Sequence, residues 1–286
     1  MIVDAHTHVF PPSIAASRDA YLRRDATFAA LYSTPKSRIA TPEQLISSMD
    51  RSGIDVSIAL GFGWSSNQLC TEGNETVMAA AAANPRLIAF ATVWPGEPDV
   101  AYREAERCAR GGCRGLGELR PRGSGSGPSY SLSGEAGDAL ASAARDFDLT
   151  LLFHVSEPVG HRYPGKEGLE IAELAEFCAR YPDVRVIAAH WGGGLPFYLL
   201  MPEMRTALAN VWFDTAATSL LYRDDVFRVA ASLSAVDRVL FGSDFPLLDQ
   251  ARQRKLIENA PGLSDDDRLA ILGENAARLF GLEAMR

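Results

Sequence analysis

Eight short apolar, β-branched runs recur along this chain, each separated from the next by a longer stretch with helical periodicity. The runs fall at 2–5, 56–60, 87–93, 114–119, 149–155, 184–189, 211–214 and 239–242. Several are apolar throughout, as expected of strands covered on both faces. Helical patterns lie between them at 71–83, 101–110, 134–146, 168–180, 195–209, 224–233 and 249–259. Another opens at Thr41-Pro42-Glu43, with Thr41 as N-cap and Pro42 in the first turn. This alternation predicts a parallel sheet. Eight repeats in 286 residues predict a closed (β/α)8 TIM barrel forming a single domain over 1–286, rather than an open doubly wound sheet. A chain this long can bury enough apolar surface to fold without disulfides or a structural ion, so any metal it binds is expected to serve chemistry.

Three stretches break the rhythm. Residues 10–40 are too long for a plain connection and carry Tyr21, Arg23, Arg24, Phe28 and Tyr32, which predicts a lid-like insertion after strand 1. Residues 123–133 are rich in Gly and Ser and are expected to be mobile. Residues 160–166 form a polar loop after strand 5 that holds His161. The last helix begins near Ser264 and carries Leu269, Ile271, Leu272, Ala276 and Leu279 at helical spacing.

Several functions are excluded early. A formal net charge of −8 lacks the basic face that a nucleic-acid binder needs. No run of apolar residues is long enough for a membrane span, and the first residues do not read as a signal peptide. The four cysteines form no C-x-x-C pair, which argues for free thiols in a reducing, cytoplasmic compartment and against a thiolate zinc site. There is no Walker A sequence, no complete dinucleotide fingerprint and no G-x-S-x-G elbow.

Four of the five histidines end predicted strands. His6 and His8 alternate on one strand and so share a face. His154, His190 and Asp244 each follow an apolar run, at the rim where parallel barrels build their active sites. Imidazoles and carboxylates buried there without partners would be costly, and a divalent ion, above all zinc, would satisfy them together. Glu118 also ends a strand and is a further candidate ligand, with a histidine-orienting role or a salt bridge to Arg120 as its alternatives. Arg120 is a candidate for gripping a substrate carboxylate. Trp191 is a candidate pocket wall.

Taken together, Asp4-Ala5-His6-Thr7-His8, His154, His190-Trp191-Gly192-Gly193 and Gly242-Ser243-Asp244-Phe245-Pro246 resemble the amidohydrolase superfamily. Within it the pattern is similar to the amidohydrolase 2 branch, which includes aminocarboxymuconate-semialdehyde decarboxylase. The resemblance implies a distorted (β/α)8 barrel. It implies a divalent ion, most readily Zn2+, with His6, His8, His154 and Asp244 as ligands. His190 would bind a second ion or hold the reactive water. Glu118 departs from the decarboxylase pattern and resembles the bridging glutamate of TatD-like hydrolases, so one or two ions are both open.

The primary expectation is a hydrolase of an amide, ester or lactone of a small organic acid. Bound water with its pKa lowered to about 7 would be the nucleophile. Asp244 would take up and return the proton, and His190 would bond the oxyanion. The alternative is non-oxidative decarboxylation of a carboxylated aromatic or muconate-like substrate, and a third reading is a non-catalytic metal-binding barrel. The partners expected are a small-molecule substrate and, in a homodimer, a second copy of the chain.

Overall fold

A computed structural model describes residues 1–124, 127–233 and 235–282. Eight strands lie in the order β1 to β8: Val3–His8, Val56–Leu60, Leu87–Ala91, Gly115–Leu119, Thr150–Phe153, Val186–Ala188, Val211–Asp214 and Val239–Leu240. Every neighbouring pair is parallel. Between β8 and β1 the ring is closed by Ala5 N–H to Phe241 O (2.7 Å), Asp244 N–H to His6 O (2.9 Å) and His8 N–H to Phe245 O (2.6 Å). The buried Asp4 carboxylate ties the same seam, accepting from Ser243 N–H and the Gln250 amide. The expected (β/α)8 barrel is therefore the fold.

Two apolar layers hold it. Val3, Val56, Ile58, Phe90, Leu152, Ile187 and Leu240 pack together with Phe280 and Leu282 from the end of the described chain. A larger layer fills the space between strands and helices. Helix Pro42–Ser52 has the expected N-cap at Thr41, whose N–H donates to Gln44 Oε1 at 2.9 Å, and ends at Gly53 in a left-handed conformation.

Two register shifts decide what points inward. On β1, Asp4 pairs with Ser57 and Thr7 with Ala59, so β1 spends one extra residue there. On β4, Leu116 pairs with Leu151 and Leu119 with Phe153, again with one residue to spare. Such a shift inverts the alternation beyond it. Val3 and Ala5 join the inner apolar layer, and past the shift His6 and His8 take the same side. The shift on β4 does the same for Glu118.

The insertion after β1 holds three short helices, Pro12–Ala16, Arg18–Leu22 and Ala26–Tyr32. Asp25 fastens it, capping Phe28 N–H and accepting from Ser65 N–H and hydroxyl. Phe28 and Tyr32 stack at 4.7 Å beside Phe10, Phe62 and Trp64. Part of the Gly- and Ser-rich stretch at 123–133, residues 125–126, lies outside the described residues. The helix expected over 195–209 is corrected. A 3-10 run at His190–Leu200 and a short helix at Pro202–Ala207 stand there, because Trp191 to Gly194 are left-handed and Pro196 and Pro202 interrupt the ladder.

Candidate metal centre

Six predicted residues converge at the carboxyl ends of the strands. His6 and His8 come from β1 and Glu118 from β4. His154 and His190 follow β5 and β6, and Asp244 follows β8. All six are buried. Asp244 and His190 are left-handed non-glycine residues, a conformation found where surrounding structure forces the backbone to serve a site. Gly242 lets this seam close, since a Cβ there would stand 2.9 Å from that of His6.

The outer nitrogen of each ring faces an oxygen that can only accept. His6 Nδ1 lies 2.8 Å from Asp214 Oδ2, His8 Nδ1 3.0 Å from Gly61 O, His154 Nε2 2.8 Å from Gly165 O and His190 Nδ1 3.2 Å from Ala216 O. In the neutral rings these nitrogens carry the proton, an assignment inferred from the partners. The inner nitrogens then present lone pairs to one another. His6 Nε2 and His8 Nε2 are 3.1 Å apart, as are His190 Nε2 and His154 Nδ1. Glu118 Oε1 lies 2.7 Å from His154 Nδ1 and 3.2 Å from His190 Nε2. Acceptors facing acceptors in a buried space repel unless a proton or a metal ion joins them.

The spacing fits such a cation. Bonds of about 2.1 Å to a divalent ion set neighbouring donor atoms about 3.0–3.4 Å apart. Beyond the 3.1 Å pairs, Asp244 Oδ1 is 3.6 Å from His8 Nε2 and 3.8 Å from His6 Nε2, and Glu118 Oε2 is 3.7 Å from His8 Nε2. Two sets, His6–His8–Asp244 and His6–Glu118–His190, each bring three donor atoms within 4.8 Å of one another. The electrostatics agree. Burial opposes the His6 imidazolium, but Asp214, Glu118 and Asp244 overcome it and push its pKa up to about 10. Burial and then the Arg120 guanidinium hold His154 down at about 4. Burial would raise Glu118, but His154 and Arg120 hold its carboxyl well below the usual range.

Sequence reasoning missed Asp214. Fully buried at the end of β7, it accepts from His6 Nδ1 with one oxygen and from His190 and Ala216 N–H with the other. Its signal was the one used for the histidines, a polar residue closing an apolar run. Of the two substrate-side candidates, Arg120 is brought in, with Nη2 3.2 Å from His154 Nε2. Trp191 is placed behind the site, donating to Thr218 Oγ1 at 2.8 Å and packing on Phe227. Arg122 pairs with Glu173, and His161 is exposed outside the cluster.

A parallel barrel whose rim gathers four imidazoles and two carboxylates is a scaffold suited to hold a divalent ion. The chain belongs to the amidohydrolase family (Amidohydro_2), which matches residues 3–282. Among solved structures it is similar to 5-carboxyvanillate decarboxylase LigW from Sphingomonas paucimobilis, at 18% identity, covering 98% of both chains with a TM-score of 0.78. It is also similar to 2,6-dihydroxybenzoate decarboxylase from Rhizobium, at 18% identity, 99% of both chains and 0.72. A third is dihydroxybenzoic acid decarboxylase from Polaromonas sp. JS666 with bound manganese and 2-nitroresorcinol, at 18% identity, 98% of this chain, 97% of that one and 0.74. No described helix is long and apolar enough to cross a membrane.

Proposed function

We propose that this chain is a metal-dependent decarboxylase of a carboxylated aromatic or muconate-like acid. The observation that carries the reading is Asp244, an acid buried among imidazole lone pairs, its Oδ1 3.6 Å from His8 Nε2. The barrel is shared end to end with decarboxylases of aromatic acids, one of them holding manganese, which supports decarboxylation over the hydrolysis first expected. His6, His8, His154, His190, Glu118 and Asp244 would hold the ion. Imidazole and carboxylate donors suit zinc and manganese alike. When bound, the ion neutralises and polarises substrate oxygens beside the scissile bond.

The chain's own groups supply the rest. The bond between the substrate carbon and its carboxylate breaks, its electron pair stays on that carbon, and carbon dioxide leaves. The carbon takes one proton, which Asp244 carries. His190 Nε2 stands across the cluster, 3.2 Å from Glu118 Oε1, where its lone pair would help hold the ion. Asp214 holds His6 and the His190 backbone in register, and Glu118 keeps the centre anionic.

The test supplies carboxyl-labelled aromatic and dienoic acids to manganese-loaded protein in heavy water. Labelled carbon dioxide should appear, with one deuteron on the carbon that lost it. Asp244→Asn should lower kcat about 10²–10⁴-fold. A product that has gained the elements of water instead would contradict the proposal.

One observation favours the hydrolytic reading. Glu118 lies between the two histidine pairs, Oε1 toward His154 and His190 and Oε2 toward His8, as a glutamate bridging two ions in a TatD-like site would. Two ions per chain together with oxygen from water in the product would establish that reading. One ion per chain with carbon dioxide released would exclude it.

A further inference from the structure

Cys108 and Cys113 are two buried thiols that meet away from the metal centre. Cys108 lies in the last turn of helix Pro98–Arg110, and Cys113 stands two residues before β4. The chain between them turns at Gly111 and Gly112, the latter left-handed at φ 92°. Cys113 N–H closes the turn on Cys108 O at 3.0 Å, which sets the two residues side by side. The side chains follow the backbone. A hydrogen bond from the Cys113 thiol, and then burial, push the Cys108 thiol above its ordinary pKa. The other two free cysteines have different surroundings. Cys70 donates to Trp64 O at 3.7 Å, and burial alone pushes the Cys178 thiol up to about 12.

The two sulfurs are placed for different roles. Cys108 Sγ donates to Glu104 Oε1 at 3.5 Å and accepts from Arg107 Nη2 at 3.8 Å. Burial keeps Cys108 a thiol at neutral pH, but the carboxylate offers a place for its proton and the guanidinium favours the sulfur anion that remains. Cys113 is the sulfur nearer to solvent. It is 5% exposed against 0% for Cys108, and Gly111, Gly112 and Arg114 around it are exposed. A Cβ at Gly112 would meet nothing within 4 Å, so the turn is open on its outer side. A small oxidant reaches Cys113 first.

We propose that Cys108 and Cys113 form an oxidation site that closes to a disulfide under hydrogen peroxide. The peroxide O–O bond breaks. One oxygen joins Cys113 Sγ as a sulfenic acid, and the other leaves as water. Cys108 Sγ then attacks Cys113 Sγ. The S–S bond forms, the S–O bond breaks, and the hydroxide leaves as water with the proton that Cys108 passed to Glu104. Two thiols are oxidised to one disulfide, and one peroxide is reduced to two waters. The bond ties the helix end to the entrance of β4, the strand that carries Glu118. It also closes a short loop, which restricts the unfolded chain. A reducing thiol reverses it.

The experiment treats the folded full-length chain with hydrogen peroxide, unfolds it, alkylates the remaining thiols and maps tryptic peptides without reduction. Two of the four thiols should be lost. Peptides 108–110 and 111–114 should appear joined, lighter by two hydrogens than their sum and parted by dithiothreitol. Cys70 and Cys178 should be recovered alkylated. Cys108→Ser should leave Cys113 as a sulfenic acid that dimedone traps, with no link. Cys113→Ser should leave Cys108 reduced at the same dose. The oxidised wild type should unfold at higher urea than the reduced one, and Cys108→Ser should abolish that increase. Oxidation spread evenly over all four cysteines, a link to Cys70 or Cys178, or thiols that survive until the chain is unfolded would each overturn the proposal. If a variant fails to fold, the wild-type peptide map decides.

Discussion

Within each histidine pair of the centre the two buried rings move in opposite directions: His6 is pushed up and His8 down, His190 up and His154 down. His6 and His8 stand on one strand, and His6 leans on the Asp214 carboxylate at 2.8 Å. His154 and His190 come from two strands, and His154 leans on a carbonyl while facing Arg120. His6 is pushed up to about 10 and His154 down to about 4. Burial acts downward on both; at His6 the carboxylates overcome it, whereas at His154 burial prevails, helped by Arg120 against the Glu118 carboxylate. His6 is placed to attract positive charge. His154 already stands beside a positive charge, that of Arg120.

The contrast can be broken at its strongest point. Asp214→Asn removes the anion behind His6 and should weaken metal binding about 10–100-fold, as loss of a ligand-orienting partner does. Titration of the chelated protein with manganese measures it. An unchanged affinity would mean that Asp214 only packs.

The pH dependence sharpens the contrast further. In chelated protein, His6 has a folded pKa of about 10 against an ordinary 6.5. Its stabilisation is complete below about 6.5 and is lost as pH rises through 10. His154, at about 4, binds its proton less readily folded than unfolded, so stability falls as pH drops from 6.5 to 4. Urea midpoints should therefore decline on both sides of neutrality. Asp214→Asn should flatten the alkaline limb, and Arg120→Gln should lessen the acid one without abolishing it, since burial is the larger cause there. Limbs that ignore both substitutions would contradict the electrostatic picture.

The smallest effect is expected at Trp191, beside His190 in sequence but behind it in space. Trp191→Phe deletes the indole bond to Thr218 Oγ1 and should lower stability by about 0.5–1.5 kcal/mol with kcat nearly unchanged. Thermal melts and steady-state rates check it.

Much of this was legible in the sequence because strand ends in a parallel barrel share one rim, so polar residues closing apolar runs had to meet. His6, His8, Glu118, His154, His190 and Asp244 followed from that rule. The register shifts on β1 and β4 were not legible: an extra residue in a strand leaves no compositional trace, and it alone explains why Val3 and Ala5 share the inner side with His6 and His8. Asp214 was readable by the same rule and passed over. The helix expected over 195–209 failed because Gly192-Gly193-Gly194 and two prolines outweigh an apolar pattern. Arg120 was readable as a candidate, but its burial, with Nε and Nη1 unpartnered among the described residues, is a fact of packing that only coordinates supply.

The most direct test of the centre is anomalous diffraction from crystals soaked in manganese. The expected result is a peak within bonding distance of His6 Nε2, His8 Nε2 and Asp244, with a second peak beside His154 and His190 marking a two-ion site. A map with no peak near either histidine pair would contradict the claim that these lone pairs converge to hold a cation.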